Sequence, residues 1–584
     1  MMNKKESLLL QELNYMRQLA QEAGKENPHL ASFLSEGARD PDIERVMLGY
    51  VLLFSRLRQK IEDDFPELTL EILDRVWPQA IRPLPPTSIV QFSPTEKDHP
   101  VGTTLPAGTT VFAGEGEQEI RFETCCPLRI EPLTVIDRQL SATTEYSEIT
   151  LTLRCSENTL EWRSQPLHFF LGSDRLQAAK LALWLDVHLC DIQLRTQDKT
   201  ITLDGGYPVP ALWGTERQVA ILPAKKTLPF SILQLMMEYY YMPHVHDFVT
   251  INIKNERRLV KLNDDRTFEL ILRFKGSLEL TDIAQTFLLD CVPVRQLEQM
   301  TSAAIPINSG ISRYEIPLKP TQHLFSLDHV YASTEPKLER GQPYRYLPIK
   351  KFTLTAHFMP DAEFLYFYQL NTECDILQHI RQQLRFFDCH GKAANNLPSQ
   401  SIFCQFTGYQ SQATELGIGD INLVGEDASG LTVSNITPVS AFHPPMEEED
   451  RSSWPLFSCF SGSPWIMFQT QSLKELLKIF DFSPDRSLSR RIQEHINGIV
   501  RLENIPIDRL DKGVPVRGHQ LILTLNPDCF ANQGEMYQFS LVVTRLMTVF
   551  ISMGVFLIMK VIDGQTGEVL WNFQRLMFGL RAYI

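Results

Sequence analysis

The segment Arg82-Pro83-Leu84-Pro85-Pro86 divides the chain into two regimes of hydrophobic spacing. Its prolines lack a backbone N–H and hold φ near that of an extended chain, so it cannot be helical and reads as a stiff spacer. Upstream, apolar residues recur every three or four positions. Leu9, Leu13, Met16, Leu19 or Ala20, and Ala23 line one face of a helix over residues 6–24, and Pro28 can open a short second helix through Leu34. Asp40 can cap the next helix, Pro41 fits its first turn, and Asp42 and Glu44 suit its positive end. Ile43, Val46, Met47, Tyr50, Val51, Phe54, Leu57 and Ile61 then form a long apolar stripe. Asp63 and Asp64 lead into Phe65-Pro66, which starts another helix through Leu68, Ile72, Val76 and Trp77 up to Pro78. Such stripes close on one another in a self-contained bundle or are covered by partner chains; periodicity does not separate the two.

Downstream of the spacer the period falls to two. Ile149, Leu151 and Leu153 share a face, as do Leu181, Leu183, Leu185, Val187 and Leu189, then Val249, Ile251 and Ile253, then Phe268, Leu270, Leu272 and Phe274. Each set predicts a half-buried antiparallel strand. Pro106-Ala107-Gly108-Thr109 is a turn, and Gly114-Glu115-Gly116 another. Pro229 to Tyr241 interrupts the strands with a helical or irregular stretch rich in Met and Tyr. Tyr314–Pro317, His323–Ala332, Lys350–Phe358 and the segment through Phe406 read as extended. After the acidic run Glu447–Asp450, which reads as a solvated linker, the pattern is mixed. Leu473, Leu476, Leu477 and Phe480 mark a helix, and Ile492, Ile496 and Val500 continue at helical spacing. Leu521, Leu523 and Leu525 mark a strand, and a long apolar helix starts near Gly534 and passes Phe539, Leu546 and Phe550. The expected fold class is α+β and multidomain: a helical region over 1–85, antiparallel sandwich-like β domains over 86–310 and 311–445, and a mixed α/β domain over 446–584.

The search for chemistry returns no catalytic residue, metal site or cofactor. There is no G-x-S-x-G, H-E-x-x-H or phosphate-binding loop; Glu119 stands where a dinucleotide fingerprint over Gly114 and Gly116 needs its third glycine. His244 and His246 would share a face on a strand, but two imidazoles do not define a metal site. Cys389 and His390 are adjacent and would point apart on a strand. The ten cysteines include no C-x-x-C pair, which fits scattered thiols in a reducing compartment. A net charge of −14 argues against nucleic acid or an anionic membrane as the main partner. The most apolar run, Leu546 to Met559, is shorter than the ~20 residues a membrane helix needs and suits a buried helix or a helix-to-strand passage. The N-terminus carries no secretory signal, so a cytoplasmic location is expected.

The ordered phrases DPDIER, EDDFPELT and WPQAIRPLPPTSIVQF resemble the N-terminal signature of the TssF (ImpG/VasA) family of the type VI secretion system, whose pattern is a DPxVER helix, a DDEFPEL turn and a YPxxxRPxPS segment. Asp40, Pro41, Glu44, Arg45, Asp63, Asp64, Phe65, Pro66, Arg82 and Pro83 match it, with Trp77 in place of Tyr and Pro86 in place of Ser. Near the C-terminus Arg517 and Gly518 match an RGxE strand, with His519 in place of the acid. Phe530, Gly534, Phe539, Leu546 and Phe550 follow in the family order. The resemblance implies a non-enzymatic baseplate wedge subunit, with two copies joining one TssG and contacting TssK, TssE and the VgrG spike hub. It would lie in the bacterial cytoplasm, docked at the inner-membrane complex, with no nucleic acid and no membrane insertion. It makes the faces Leu9, Leu13, Met16, Ala20 and Val46, Tyr50, Phe54, Leu57 candidate partner-binding surfaces. Two copies in unlike surroundings would need joints, for which Arg82–Pro86 and Pro444–Trp454 are candidates. The alternatives are a phage-like contractile-tail baseplate protein and a cytosolic β-sandwich enzyme; the second would need clustered acids or histidines on one sheet face.

Overall fold

The computed structural model describes residues 82–579, with its longest gaps at 211–230, 333–344, 350–364 and 444–467. These residues belong to one compact unit of the chain, Val76–Glu447 with Pro455–Ile584. The helices expected before residue 82, the strand expected at Lys350–Phe358 and the joint expected at Pro444–Trp454 lie outside the described residues. What is described is mostly β, in several sheets, with a few helices.

The prolines of Arg82–Pro86 do not form a hinge. Pro83, Leu84, Pro85 and Pro86 are buried, and Leu84 N donates to His443 O at 2.9 Å. The segment delivers the chain into the strand next to one edge of a six-stranded antiparallel sheet. Its order is Ile421–Val424, Thr110–Ala113, Ile120–Thr124, Cys291–Arg295, Thr87–Pro94, Leu431–Asn435. Alternating Val90, Phe92, Val111, Phe122, Val292, Val294 and Val433 fill its core. The turn at Pro106 closes as expected: Thr109 N donates to Pro106 O at 3.3 Å, and Gly108 takes a φ of +90° that other residues rarely adopt.

A second antiparallel sheet has the order Thr200–Thr202, Leu189–Arg195, Thr267–Lys275, Tyr146–Cys155, Leu133–Ala142. The period-two residues Ile149, Leu151, Leu153, Phe268, Leu270, Leu272 and Phe274 form its fully buried face. One expected strand is a helix. Arg175–Leu183 is α-helical (α1) and continues through a π-helical turn, Trp184–His188; only at Leu189 does a strand begin. Asp174 caps α1 by accepting from Leu176 N and Gln177 N. The leucines alternate, but Ala178 and Ala179 before them and Ala182 between them are buried too, so the buried set is helical and the alternation incidental. The stretch ending at Tyr241 is a helix, Ser231–Tyr241 (α2).

Two four-stranded sheets share a third core. In one, Gln322–Ala332 and Glu298–Thr301 pair with Ser401–Gln410; the other runs Arg313–Glu315, Ile380–Phe387, Leu365–Cys374, Arg345–Pro348. Tyr314, Tyr368, Leu384, Phe386, Ile402, Cys404 and Phe406 meet between them, as in face-to-face sheet packing.

The C-terminal part carries helices Thr470–Lys478 (α3) and Arg486–Gly498 (α4) and a sheet ordered Ile499–Asp511, Val514–Leu525, Phe556–Asp563, Val569–Phe578. Val500 does not continue the helix: α4 ends at Gly498, and Val500 stands exposed on the edge strand. The two central strands are parallel, which requires a crossover. Gln533–Met547 (α5) is that crossover, and of the two readings open for the run to Met559, a buried helix or a helix-to-strand passage, the structure shows the second.

Candidate functional site

α5 is buried along its length from Gly534 to Met547, except at half-exposed Arg545. It lies in the largest core of the unit, with α2, α3, α4 and the C-terminal sheet. Its first turn fits because Gly534 has no side chain: a methyl group there would stand 2.4 Å from Lys180 N and 2.6 Å from Ala179 O, on the backbone of α1. Asn532 joins the helix starts by accepting from Glu535 N at 2.8 Å and donating from Nδ2 to Leu176 O at 3.1 Å. Tyr537 Oη donates to Asp186 Oδ2 at 2.7 Å, and Gln538 Nε2 to Asp247 Oδ1 at 3.3 Å. The junction of the C-terminal part with the second sheet is therefore a helix crossing tied by polar contacts, of which Gln538–Asp247 is fully buried.

Glu535 anchors that junction. Its Oε1 accepts from Arg491, with Nε at 2.9 Å, and lies 3.3 Å from His495 Nε2; its Oε2 accepts from Ala531 N at 2.7 Å. Burial opposes ionisation of Glu535, but the His495 hydrogen bond and the Arg491 charge outweigh it and hold the carboxyl well below the usual range. Burial keeps the His495 imidazole low and neutral. Arg175 stands opposite, its guanidinium 5.2 Å over the Tyr239 ring and its Nη2 donating to Tyr239 O at 2.9 Å. Burial first, then repulsion from Arg491, lowers its pKa. A cleft of about 500 Å³ opens between these groups, rimmed by Leu176, Glu494, Asp528 and Phe530. A second polar knot lies on α2: Glu238 accepts from Gln234 Nε2 at 2.5 Å and meets His246 Nε2 at 2.9 Å.

This arrangement ties the starts of α1 and α5 to α4. Burial pushes the Cys529 thiol up and the Tyr239 hydroxyl up to about 12, so neither is a ready nucleophile. Among the described residues no group of three or more His, Cys, Asp or Glu could hold a metal ion, and no helix is long and apolar enough to cross a membrane. His244 and His246 sit in a turn before Phe248–Asn252. His244 lies 3.4 Å from Asp247 and edge-on to Phe170, while His246 is held by Glu238, so the two imidazoles serve separate contacts. His390 is exposed in a turn, and Cys389 lies outside the described residues.

Of the signature residues, Arg82 stacks over Phe325 at 5.5 Å and Pro83 is buried. Arg517 is exposed, with only a 3.9 Å approach to Asp508. Gly518 has a packing reason: a methyl group there would stand 2.5 Å from the Phe556 ring. Asp40, Pro41, Glu44, Arg45, Asp63, Asp64, Phe65, Pro66 and both candidate partner-binding faces lie outside the described residues. Sequence reading missed the Glu535–Arg491–His495 cluster because its members come from different helices.

Comparison with known proteins follows the same lines. A family model described as type VI secretion system, TssF, matches residues 1–578. The type VI secretion system component TssF1 of Pseudomonas aeruginosa is 21% identical, with 96% of each chain covered. A chain from a cryo-electron microscopy structure of a TssK-TssF-TssG baseplate subcomplex superposes with a TM-score of 0.67 at 20% identity, covering 91% of this chain and 99% of that one. A chain from a structure of the type VI secretion baseplate complex gives 0.55 at 19% identity, covering 99% and 100%.

Proposed function

The chain belongs to the TssF family of the type VI secretion system, and from that premise we propose that it works as a structural subunit of the baseplate rather than as an enzyme. The observation that carries the reading is the family match over almost the whole chain, together with a fold shared with chains of two baseplate complexes. The burial of the polar groups around α5 fits a rigid building block, since satisfied buried networks stiffen a core. In this reading the residues before the Arg82–Pro86 segment form a helical region whose Leu9–Ala20 and Val46–Leu57 faces are covered by a TssG-like partner. Two copies would join one such partner, with TssK-like, TssE-like and VgrG-like subunits as further neighbours. The assembly would lie in the cytoplasm against the inner-membrane complex, and no cofactor takes part.

Co-expression with the TssG-like protein of the same bacterium, followed by mass measurement of the purified particle, tests this. A stable particle of two copies to one partner is the expected result. A monomer that ignores the partner would overturn the reading and return the N-terminal stripes to a self-contained bundle.

A further inference from the structure

The first hairpin of the C-terminal sheet outruns the sheet. Val514–Leu525 pairs with Phe556–Asp563 only from Gly518 onward, whereas its pairing with Ile499–Asp511 continues as far as Val514. The cross-strand pairs from Asp508–Arg517 to Asp511–Val514 therefore project about 13 Å as a two-stranded ribbon, with no third strand beside them among the described residues. A lone pair of strands is marginally stable in water and needs a covered apolar face to be more than that. This ribbon carries apolar groups on both faces. Leu510 lies opposite Pro515 on one face, and Ile505 and Ile507 lead to Val516 on the other. Leu510 is 75% exposed, more than any other large apolar side chain among the described residues, and Ile505, Pro506 and Pro515 are exposed too.

We propose that this ribbon is an arm that inserts into an apolar groove, lipped by carboxylates, on a different subunit of the assembly. The proposal rests on the baseplate reading above. A flat partner surface would cover one face and leave the apolar groups of the other in water, so a groove that takes both faces fits. Strand addition to the free edge does not fit. Leu502 N turns away from the neighbouring strand to Thr470 Oγ1, at 2.9 Å. By the alternation of an antiparallel ladder Pro506 N faces the open edge as well, where proline supplies no donor. Charge sets the lip. Arg501, Arg509, Lys512 and Arg517 outnumber Glu503, Asp508 and Asp511 along the hairpin, whereas the whole chain has a formal charge of −14. Arg501 is met by Glu503 at 2.6 Å, but the Arg517 side chain is 90% exposed and only approaches Asp508, itself 74% exposed, at 3.9 Å. An arginine beside exposed apolar side chains is the composition of an interface centre, and its planar fork matches a carboxylate.

The test is hydrogen exchange read by peptide mass, on the full chain alone and in the complex co-purified with the TssG-like and TssK-like proteins of the same bacterium. Peptides over Ile505–Arg517 are expected to exchange at least ~10-fold more slowly in the complex than in the free chain, on both strands. Leu510→Ser should leave the urea midpoint of the free chain unchanged, because the side chain is exposed, and weaken assembly by about 10–100-fold, the worth of one buried leucine. Equal exchange of these peptides in the free chain and the intact complex, or normal assembly of L510S, overturns the proposal while leaving the baseplate reading standing. Failure of any complex to form overturns that reading and this proposal with it. Slowing confined to Ile499–Asp511 would mean strand addition, and slowing in the free chain as its concentration rises would mean a second copy; either result rejects the groove. Exchange of the unaltered chain keeps the test independent of how L510S folds.

Discussion

Replacing Gly534 with alanine sets two effects of known sign against each other. In an isolated helix Gly→Ala is favourable by about 1 kcal/mol, because glycine loses more backbone freedom. Here the new methyl would meet Lys180 N at 2.4 Å, with Ala179 C and O at 2.5 and 2.6 Å. These are backbone atoms of α1, so no rotamer change relieves the contact. Reaching an ordinary separation of about 3.4 Å means moving α5 and α1 apart by about 1 Å. That shift loosens Ala178, Ala179, Leu181, Ala182 and Leu183 of α1, all buried, and a gap of that size forfeits roughly a quarter to a half of each lost contact. Overpacking against fixed backbone costs about 3 kcal/mol, at the upper end of its usual range. With the propensity gain subtracted, the net loss is about 2 kcal/mol. Urea unfolding of the full chain should show a lower midpoint with an unchanged slope. A variant as stable as the parent, or more stable, would refute the reasoning, since propensity would then outweigh the close approach.

Three further outcomes follow from other sites. Gly518→Ala should lose about 1–3 kcal/mol in the same urea assay, because its methyl would fall 2.5 Å from the fully buried Phe556 ring; an unchanged midpoint would mean that the ring moves freely. Acid should destabilise the unit over a definable window. Burial lowers His443 to about 4 from an unfolded value near 6.5, so the unfolded chain binds the proton first, and up to about 3 kcal/mol present above pH 6.5 drains away as pH falls toward 4. Glu535 and His495, both lowered, add losses of the same sign: the imidazole below pH 6.5, and the carboxylate below its unfolded value of about 4.3. His443→Phe, which keeps a ring against Tyr241, should flatten the slope of stability between pH 6.5 and 4; an unaltered slope would assign it to other groups.

Much of the local structure was legible in the sequence, and its misses have physical causes. Strands buried on one face announced themselves by period two, as Ile149–Leu153 and Phe268–Phe274 did, because a pleated strand must alternate. α5 announced itself by length, and its exit into a strand by an apolar run too short for a membrane helix. The family signature at Arg82, Pro83, Arg517 and Gly518 was legible as a pattern, but not what each residue does there. Leu181–Leu189 misled because counting the leucines alone left out Ala178, Ala179 and Ala182, which the helix buries as well. Only the tertiary structure decided that Thr87–Pro94 lies between Cys291–Arg295 and Leu431–Asn435, that Gly534 is where two helix backbones touch, and that Glu535, Arg491, His495 and Arg175 form one cluster. The reason is range. Periodicity and capping act over a few residues and are written locally, whereas strand neighbours and buried ion pairs are chosen by contacts across hundreds of residues, where only the packed chain brings the partners within reach.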